Sequence, residues 1–98
     1  MDVHYTLHGI RFQWHSDKAL SNLRNHGVSF EIACEVFLDP FLQPLDDEYV
    51  DGEVRERVIG MTVNWRLLYV VYTLRKDVIR LVSARPVTRQ ERKEYENQ

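Results

Sequence analysis

The apolar and polar positions of the first forty residues change from the period of a strand to the period of a helix. Apolar and polar side chains alternate over 10–14, which predicts a short strand. Helical spacing follows over 17–26 and again over 30–38, where Ser16 and Ser29 are placed to cap the two helices. The short connection between these helices predicts an αα-hairpin.

The second half of the chain has the alternation and turn residues of an antiparallel sheet. An acidic stretch over 41–53 predicts a short edge strand and a loop, and strand-like runs then cover 54–63, 65–74 and 78–84. The run over 65–74 is apolar on both faces, so we expect it to be the central strand. A capping box then begins a short helix over 89–96.

These elements predict a single α+β domain over 1–98. Two N-terminal helices pack on an antiparallel sheet of three to four strands, and a short helix ends the chain. Residues 1–9 are expected to be an N-terminal extension to this scheme. Because two helices cover only one face of such a sheet, polar side chains on the other face become candidates for function.

The composition predicts a cytoplasmic protein. Its single cysteine, Cys34, excludes an intramolecular disulfide and a cysteine-based zinc cluster. No stretch approaches the roughly 20 apolar residues of a membrane helix. The first residues also lack the pattern of a secretory signal. The histidines do not have the spacing of a metal site, so we expect neither a metal nor a cofactor.

Charge divides the chain, although the net charge is only −2. Residues 39–56 hold seven acidic groups and one basic group, whereas residues 66–93 hold eight basic groups and two acidic ones. The basic groups of the second segment are Arg66, Arg75, Lys76, Arg80, Arg85, Arg89, Arg92 and Lys93. This distribution favours a phosphate-bearing ligand at the C-terminal third. The acidic segment is a candidate binding site for a basic segment of a partner protein.

The last predicted hairpin decides which side chains share a face of the sheet. If Leu74 pairs with Val78, then Tyr72 lies opposite Arg80, and Arg66 points to the same face. Tyr72 is then either a general acid or base, or a ring that stacks on a nucleobase. The alternative is ordinary aromatic packing in the core.

Arg55 and Arg57 alternate together on the neighbouring strand and extend this patch. Guanidinium groups stay charged and match phosphate with their planar fork, so a cluster of them suits the stabilisation of a charged transition state. The alternative for each arginine is an ordinary ion pair with the acidic segment 39–56.

The terminal helix and the turn between the first two helices hold further candidates. Arg85 precedes the terminal helix, whose N-terminus favours phosphate, and Arg89, Arg92 and Lys93 lie on it. The alternative is a solvated amphipathic helix. His26 lies in the helix turn, where stabilising the helix dipole is the alternative to a role in chemistry.

Seven ordered segments over 11–95 resemble the BrnT family of bacterial toxin ribonucleases, which have a RelE-like fold. The segments are Phe12-x-Trp14-x3-Lys18-x3-Asn22, Asn25 to Glu31, Val36-Phe37-x-Asp39-Pro40, Asp51-Gly52-Glu53-x-Arg55-x4-Gly60, Arg66 to Tyr72, Ile79 to Pro86, and Thr88-x2-Glu91-x3-Tyr95.

The resemblance implies a toxin of a type II toxin–antitoxin pair, neutralised by a BrnA-like, DNA-binding antitoxin in a hetero-oligomer. Such a toxin cleaves RNA without a metal and so inhibits translation and growth. Catalytic roles are implied for Arg55, Arg80 and Arg85, and Tyr72 is the candidate for the general base.

The resemblance implies RNA contacts for Lys18 and His26, and the charge distribution adds Arg66, Arg89, Arg92 and Lys93 as supporting contacts. The alternative function is that of a catalytically weak binding module, which docks the antitoxin and modulates the repression that the antitoxin exerts when bound to DNA.

Overall fold

The computed structural model describes residues 1–98 and combines three helices with seven strands. The strands are β1 (Asp2–Leu7), β2 (Ile10–His15), β3 (Gln43–Pro44), β4 (Glu48–Val50), β5 (Glu53–Met61), β6 (Leu67–Arg75) and β7 (Val78–Pro86). The helices are α1 (Ser16–His26), α2 (Phe30–Cys34) and α3 (Arg89–Glu96), and a 3₁₀ turn (Glu35–Leu38) follows α2.

The strands form one sheet in the order β1-β2-β7-β6-β5-β3, and β4 pairs with β5 off this path. All neighbours are antiparallel except β2 and β7, which are parallel. The chain leaves β2 through α1 and α2 before it returns to the sheet, and a crossover of this kind permits parallel pairing. The predicted α+β class is confirmed.

The predicted sheet of three to four antiparallel strands is wrong, because the sheet has seven strands and one parallel pair. Residues 1–9 are not an extension to the fold. They form β1 and the turn that joins it to β2, in which His8 and Gly9 both have positive φ (49° and 81°). Two-residue hairpin turns favour these left-handed conformations. The N-terminal segment therefore forms one edge of the sheet.

The sheet has a helix face, covered by α1 and α2, and an open face on the other side. The largest buried side chains of the helix face are Trp14 and Phe12, and the Trp14 ring meets Phe30 of α2 edge-on at 5.6 Å. On the opposite side, α3 lies across one end of the open face, where Glu91 contacts Arg85 of β7. No other helix lies on the open face.

Asn22 of α1 completes the edge of β7 beyond the point where β2 stops pairing with it. Parallel pairing covers only three residue pairs, the last of which is Gln13 with Arg80. Further along β7, the Asn22 amide donates to the carbonyl of Ala84 (2.8 Å) and accepts from its N–H (3.0 Å). It also donates to the carbonyl of Val28 at 2.9 Å. A buried side chain thus takes the place of a strand neighbour.

The helix caps match the predictions at two of three positions. Ser29 caps α2, and Thr88 forms the predicted capping box with Glu91 at the start of α3. The prediction that Ser16 caps α1 is wrong, because the cap is His15, whose Nδ1 accepts from the N–H of Asp17 (3.1 Å). The imidazole nitrogen of His15 therefore accepts the capping hydrogen bond that the Ser16 hydroxyl was expected to accept.

We predict that Asn22→Ala lowers the free energy of unfolding by about 3 kcal/mol, since the substitution leaves buried backbone groups of Ala84 and Val28 without partners. For a domain of this size the midpoint of thermal unfolding falls by roughly 15 °C. Circular dichroism during heating measures the change. The matched control is Asn25→Ala, which removes an exposed amide from the same helix. Equal midpoints for the two variants would contradict the role given to Asn22.

Candidate functional site

A row of polar side chains crosses the middle of the open face. Arg80 of β7 lies opposite Thr73 of β6, and Arg55 lies on the neighbouring strand β5 beside Thr73. Arg55 Nε, Thr73 Oγ1 and Arg80 Nη1 are the only three buried side-chain nitrogen or oxygen atoms of the chain without a hydrogen-bond partner. We call Arg55, Thr73 and Arg80 the polar row.

Buried polar atoms without partners are costly, and folded proteins contain few of them. It is therefore unusual that all three such atoms of this chain belong to neighbouring side chains, two of which are arginines. Thr73 is only 3% exposed, so its hydroxyl is held within the sheet surface. The chemistry suits a small group rich in hydrogen-bond acceptors and negatively charged, such as phosphate.

β1 contributes a carboxylate to this row. Arg80 Nη2 donates to Asp2 Oδ1 at 3.1 Å, across the intervening strand β2. The hydrogen bond from Arg80 lowers the pKa of the Asp2 carboxyl group. Asp2 therefore orients one side of the Arg80 guanidinium and offsets part of its charge, while Nη1 stays unpartnered.

Arg85 has a different environment on the same face. Its Nη1 and Nη2 donate to the two carboxylate oxygens of Glu91, both at 2.8 Å, and its guanidinium carbon lies 4.0 Å from the centre of the Tyr69 ring. The hydrogen bonds from Arg85 hold the pKa of Glu91 below its usual range. Arg57 Nη1 in turn donates to the Tyr69 hydroxyl at 3.1 Å. Arg57, Tyr69, Arg85 and Glu91 form what we call the arginine–tyrosine cluster.

The predicted pairing of Tyr72 with Arg80 is wrong. The last hairpin has a two-residue turn that pairs Arg75 with Val78, and Tyr72 consequently lies opposite Leu81. Because side chains alternate between faces, this shift by one residue places Tyr72 on the helix face. Thr73 is the residue that lies opposite Arg80.

On the helix face the Tyr72 ring meets Phe37 edge-on at 5.1 Å. Burial and the carboxylates of Glu56 and Asp47 raise the pKa of Tyr72 to about 12. The phenol stays protonated at neutral pH, which makes it a poor general base. Its position fits the alternative of aromatic packing.

Lys18 and His26 line a small polar pocket of about 230 Å³ with Asn25 and Ser83. The pocket lies between α1 and the part of β7 that follows Arg80, where the register of β6 and β7 shifts by one residue. Lys18 and His26 are both exposed, so the structure brings together these two candidates from the helices.

The remaining predicted contacts are exposed and lie apart from the polar row. Arg66 precedes β6 at the β5–β6 turn, at the opposite end of the hairpin from Thr73. Arg89, Arg92 and Lys93 are on α3, where Arg92 approaches Glu96 at 4.0 Å.

Sequence reasoning missed the three residues that give the arginines their surroundings, which are Asp2, Thr73 and Tyr69. The signal for Thr73 was present, since it is the one aliphatic hydroxyl in a run of apolar and aromatic residues before Arg75. Asp2 gave no signal, because its contact with Arg80 spans 78 residues of the chain.

The remaining chemistry-bearing groups are not arranged as a site. No three or more His, Cys, Asp or Glu side chains lie together in a way that could hold a metal ion. Cys34 is buried, and burial raises the pKa of its thiol, which disfavours the nucleophilic thiolate. None of the helices has the length and apolar character needed to cross a membrane.

Residues 14–91 match the family model described as "Ribonuclease toxin, BrnT, of type II toxin-antitoxin system". The chain belongs to the BrnT family. The polar row and the arginine–tyrosine cluster lie within the matched segment, whereas Asp2 and the rest of β1 lie outside it. Members of this family are ribonuclease toxins of type II toxin–antitoxin systems.

The BrnT-family chain is also similar in fold to the 1.1 Å crystal structure of the Brucella abortus ribonuclease toxin BrnT. The TM-score is 0.58 at 19% sequence identity, and the likeness covers 78% of this chain and 94% of that one. No curated protein matches the chain in sequence.

We predict that the ion pair between Arg85 and Glu91 stabilises this BrnT-family fold at neutral pH and not in acid. The folded-state pKa of Glu91 is depressed, so its contribution is complete above the ordinary glutamate pKa of about 4.3 and disappears as the pH falls through the lower folded value. Glu91→Gln therefore lowers the free energy of unfolding by roughly 1–2 kcal/mol at pH 7.

Urea unfolding of wild type and variant at pH 7 and near pH 2.5 measures this difference. It should shrink toward zero at the lower pH. Glu94→Gln, which removes an exposed carboxylate from the same helix, is the control and should have little effect at either pH. An equal loss from Glu91→Gln at both pH values would contradict the ionic origin of the stabilisation.

Proposed function

We propose that this chain is the endoribonuclease toxin of a type II toxin–antitoxin system, which cleaves RNA without a metal and thereby inhibits translation and growth. The observation that carries the proposal is the polar row, where two guanidinium groups flank Thr73 on the open face and three buried side-chain atoms have no hydrogen-bond partner within the protein. Membership of the BrnT family supports the same activity.

In the proposed reaction the ribose 2′-OH attacks the adjacent phosphorus, and the bond to the 5′-oxygen of the next nucleotide breaks. The 2′-OH proton passes to a general base, the leaving 5′-oxygen takes up a proton, and a 2′,3′-cyclic phosphate remains. Negative charge grows on the non-bridging oxygens, and Arg55 and Arg80 would donate to them from either side of Thr73. Tyr72 does not serve as the base, because it lies on the helix face.

The other basic candidates are assigned weaker roles in holding the RNA. Lys18 and His26 would contact the phosphate backbone beside β7, since their pocket adjoins the strand segment after Arg80. Exposed cations at the hairpin turn and on α3 would add contacts that depend on salt. These are Arg66, Arg89, Arg92 and Lys93.

We further propose that a BrnA-like, DNA-binding antitoxin neutralises the toxin in a hetero-oligomer. The acidic segment 39–56 supports a docking role, because it exposes large apolar rings among its carboxylates. Phe41 is 65% exposed and Tyr49 is 76% exposed. A partner segment that combines basic and apolar side chains would complement both features.

We predict that Arg55→Ala and Arg80→Ala each reduce RNA cleavage by about 100-fold or more, which is the usual cost of losing one preorganised donor to a developing oxyanion. Cleavage of single-stranded RNA by purified protein in excess EDTA measures the rate and also tests metal independence. Arg24→Ala, which removes an exposed arginine from α1, is the matched control and should retain activity. Unchanged rates for both row variants, with native circular dichroism, would contradict the assignment of the site.

The ion pair of Asp2 with Arg80 favours a second candidate function. In this function the chain is a catalytically weak module that docks the antitoxin and modulates the repression that the antitoxin exerts when bound to DNA. This pair places a negative charge beside one of the two row arginines. The two functions differ in one measurement. A module of this kind binds the antitoxin but leaves RNA intact in EDTA, whereas the proposed ribonuclease cleaves it.

A further inference from the structure

A cleft of about 400 Å³ lies between α3 and the open face of the sheet. Its walls include the arginine–tyrosine cluster together with the carboxylates of Asp46 and Glu94. The volume is within the range of small-molecule sites, roughly 300–1,000 Å³. The mechanism proposed above does not use this cleft.

The guanidinium of Arg85 forms a fixed plane in the cleft. Two 2.8 Å hydrogen bonds to Glu91 hold its edge, and the Tyr69 ring supports one of its faces at 4.0 Å. Both supports are themselves held, because Glu91 also accepts from the N–H of Thr88 and the Tyr69 hydroxyl accepts from Arg57. The Arg85 side chain is still 32% exposed, so part of the plane faces the cleft.

The charges of the cleft disfavour phosphate as its ligand. Two arginines, Arg57 and Arg85, face three carboxylates, Asp46, Glu91 and Glu94, which gives a formal charge of +2 − 3 = −1. Glu91 already takes two of the N–H donors of Arg85, and its negative charge would repel a phosphate bound beside them. A flat guanidinium with carboxylates at its rim instead suits an uncharged aromatic ring that carries N–H donors.

The cleft is within reach of RNA bound at the polar row. Tyr69 and Thr73 are both on the open face of β6 and are four residues apart, which corresponds to roughly 13 Å along the strand. A short stretch of single-stranded RNA can therefore contact both places. The base, rather than the phosphate, of a nearby nucleotide would enter the cleft.

We propose that this cleft binds a guanine base of the substrate RNA, stacked on the Arg85 plane, with its N1–H and N2–H groups donating to the carboxylate of Glu94. Guanine is the base whose Watson–Crick edge offers two adjacent donors to one carboxylate, whereas uracil offers a single donor between two acceptors. The inference rests on the proposed ribonuclease function and adds a sequence preference to it. Arg85 then selects the substrate, and the polar row binds the reacting phosphate.

Cleavage of a random-sequence single-stranded RNA pool, followed by sequencing of the new ends, tests the proposal. Wild type should enrich guanine at one position within a few nucleotides of the cut. Arg85→Lys keeps the charge and loses the plane, and Glu94→Gln loses the paired acceptor. Each should reduce the guanine enrichment by about fivefold or more, in keeping with the loss of base stacking or of a base-edge contact. Glu96→Gln, on α3 but outside the cleft, should leave the enrichment unchanged.

An enrichment that is absent in wild type, or unaltered in both cleft variants while cleavage persists, would overturn the proposal. Absence of cleavage by wild type would instead refute the ribonuclease function. In that case the affinity of the Arg80→Ala variant for short oligonucleotides, measured by fluorescence anisotropy, tests base binding in the cleft without reference to cleavage. Tighter binding of a guanine-containing oligonucleotide than of oligouridine, reduced by adding Glu94→Gln, supports the cleft, and equal affinities overturn it. Glu94→Gln alters an exposed side chain, so it keeps the test valid if Arg85→Lys fails to fold.

Discussion

The fold depends on how the backbone groups at the buried edge of β7 find hydrogen-bond partners after β2 stops pairing with it. The side chain of Asn22 supplies both the donor and the acceptor that a neighbouring strand would offer to Ala84. An unpaired buried edge would cost several hydrogen bonds, so this one amide determines where α1 can lie. Its bond to Val28 also fixes the entry to α2. The position of α1 in turn places Lys18 and His26 beside β7.

The register of the hairpin between β6 and β7 decides which candidate site residues lie opposite each other. A turn of two residues, Lys76 and Asp77, pairs Thr73 with Arg80, whereas a turn one residue longer would have paired Tyr72 with it. Composition does not distinguish these turns, because Lys76 adopts a positive φ of 58° that glycine or asparagine would have signalled more clearly. One residue of register therefore separates the predicted neighbour of Arg80, Tyr72, from the observed one, Thr73.

Local patterns predicted the local structure well and the long-range contacts poorly. The capping box of Thr88 and the Ser29 cap are encoded within four residues, and both were predicted correctly. The strand β1 has clear alternation over 2–7, yet its pairing with β2 and the reach of Asp2 to Arg80 depend on the assembled sheet. Arg85 was predicted as a catalytic cation, but only the folded chain reveals that Glu91 occupies its hydrogen-bonding edge.

The three arginines thus differ by their partners more than by their positions. Arg55 and Arg80 keep unpartnered nitrogen atoms beside Thr73, while Arg85 has its charge matched by Glu91 and its plane supported by Tyr69. The first arrangement favours an anion, and the second favours an uncharged ring. The net charge of −2 is therefore a poor guide to either place, because carboxylates accompany some of the arginines more closely than others. What matters is the charge left uncompensated at each place on the open face.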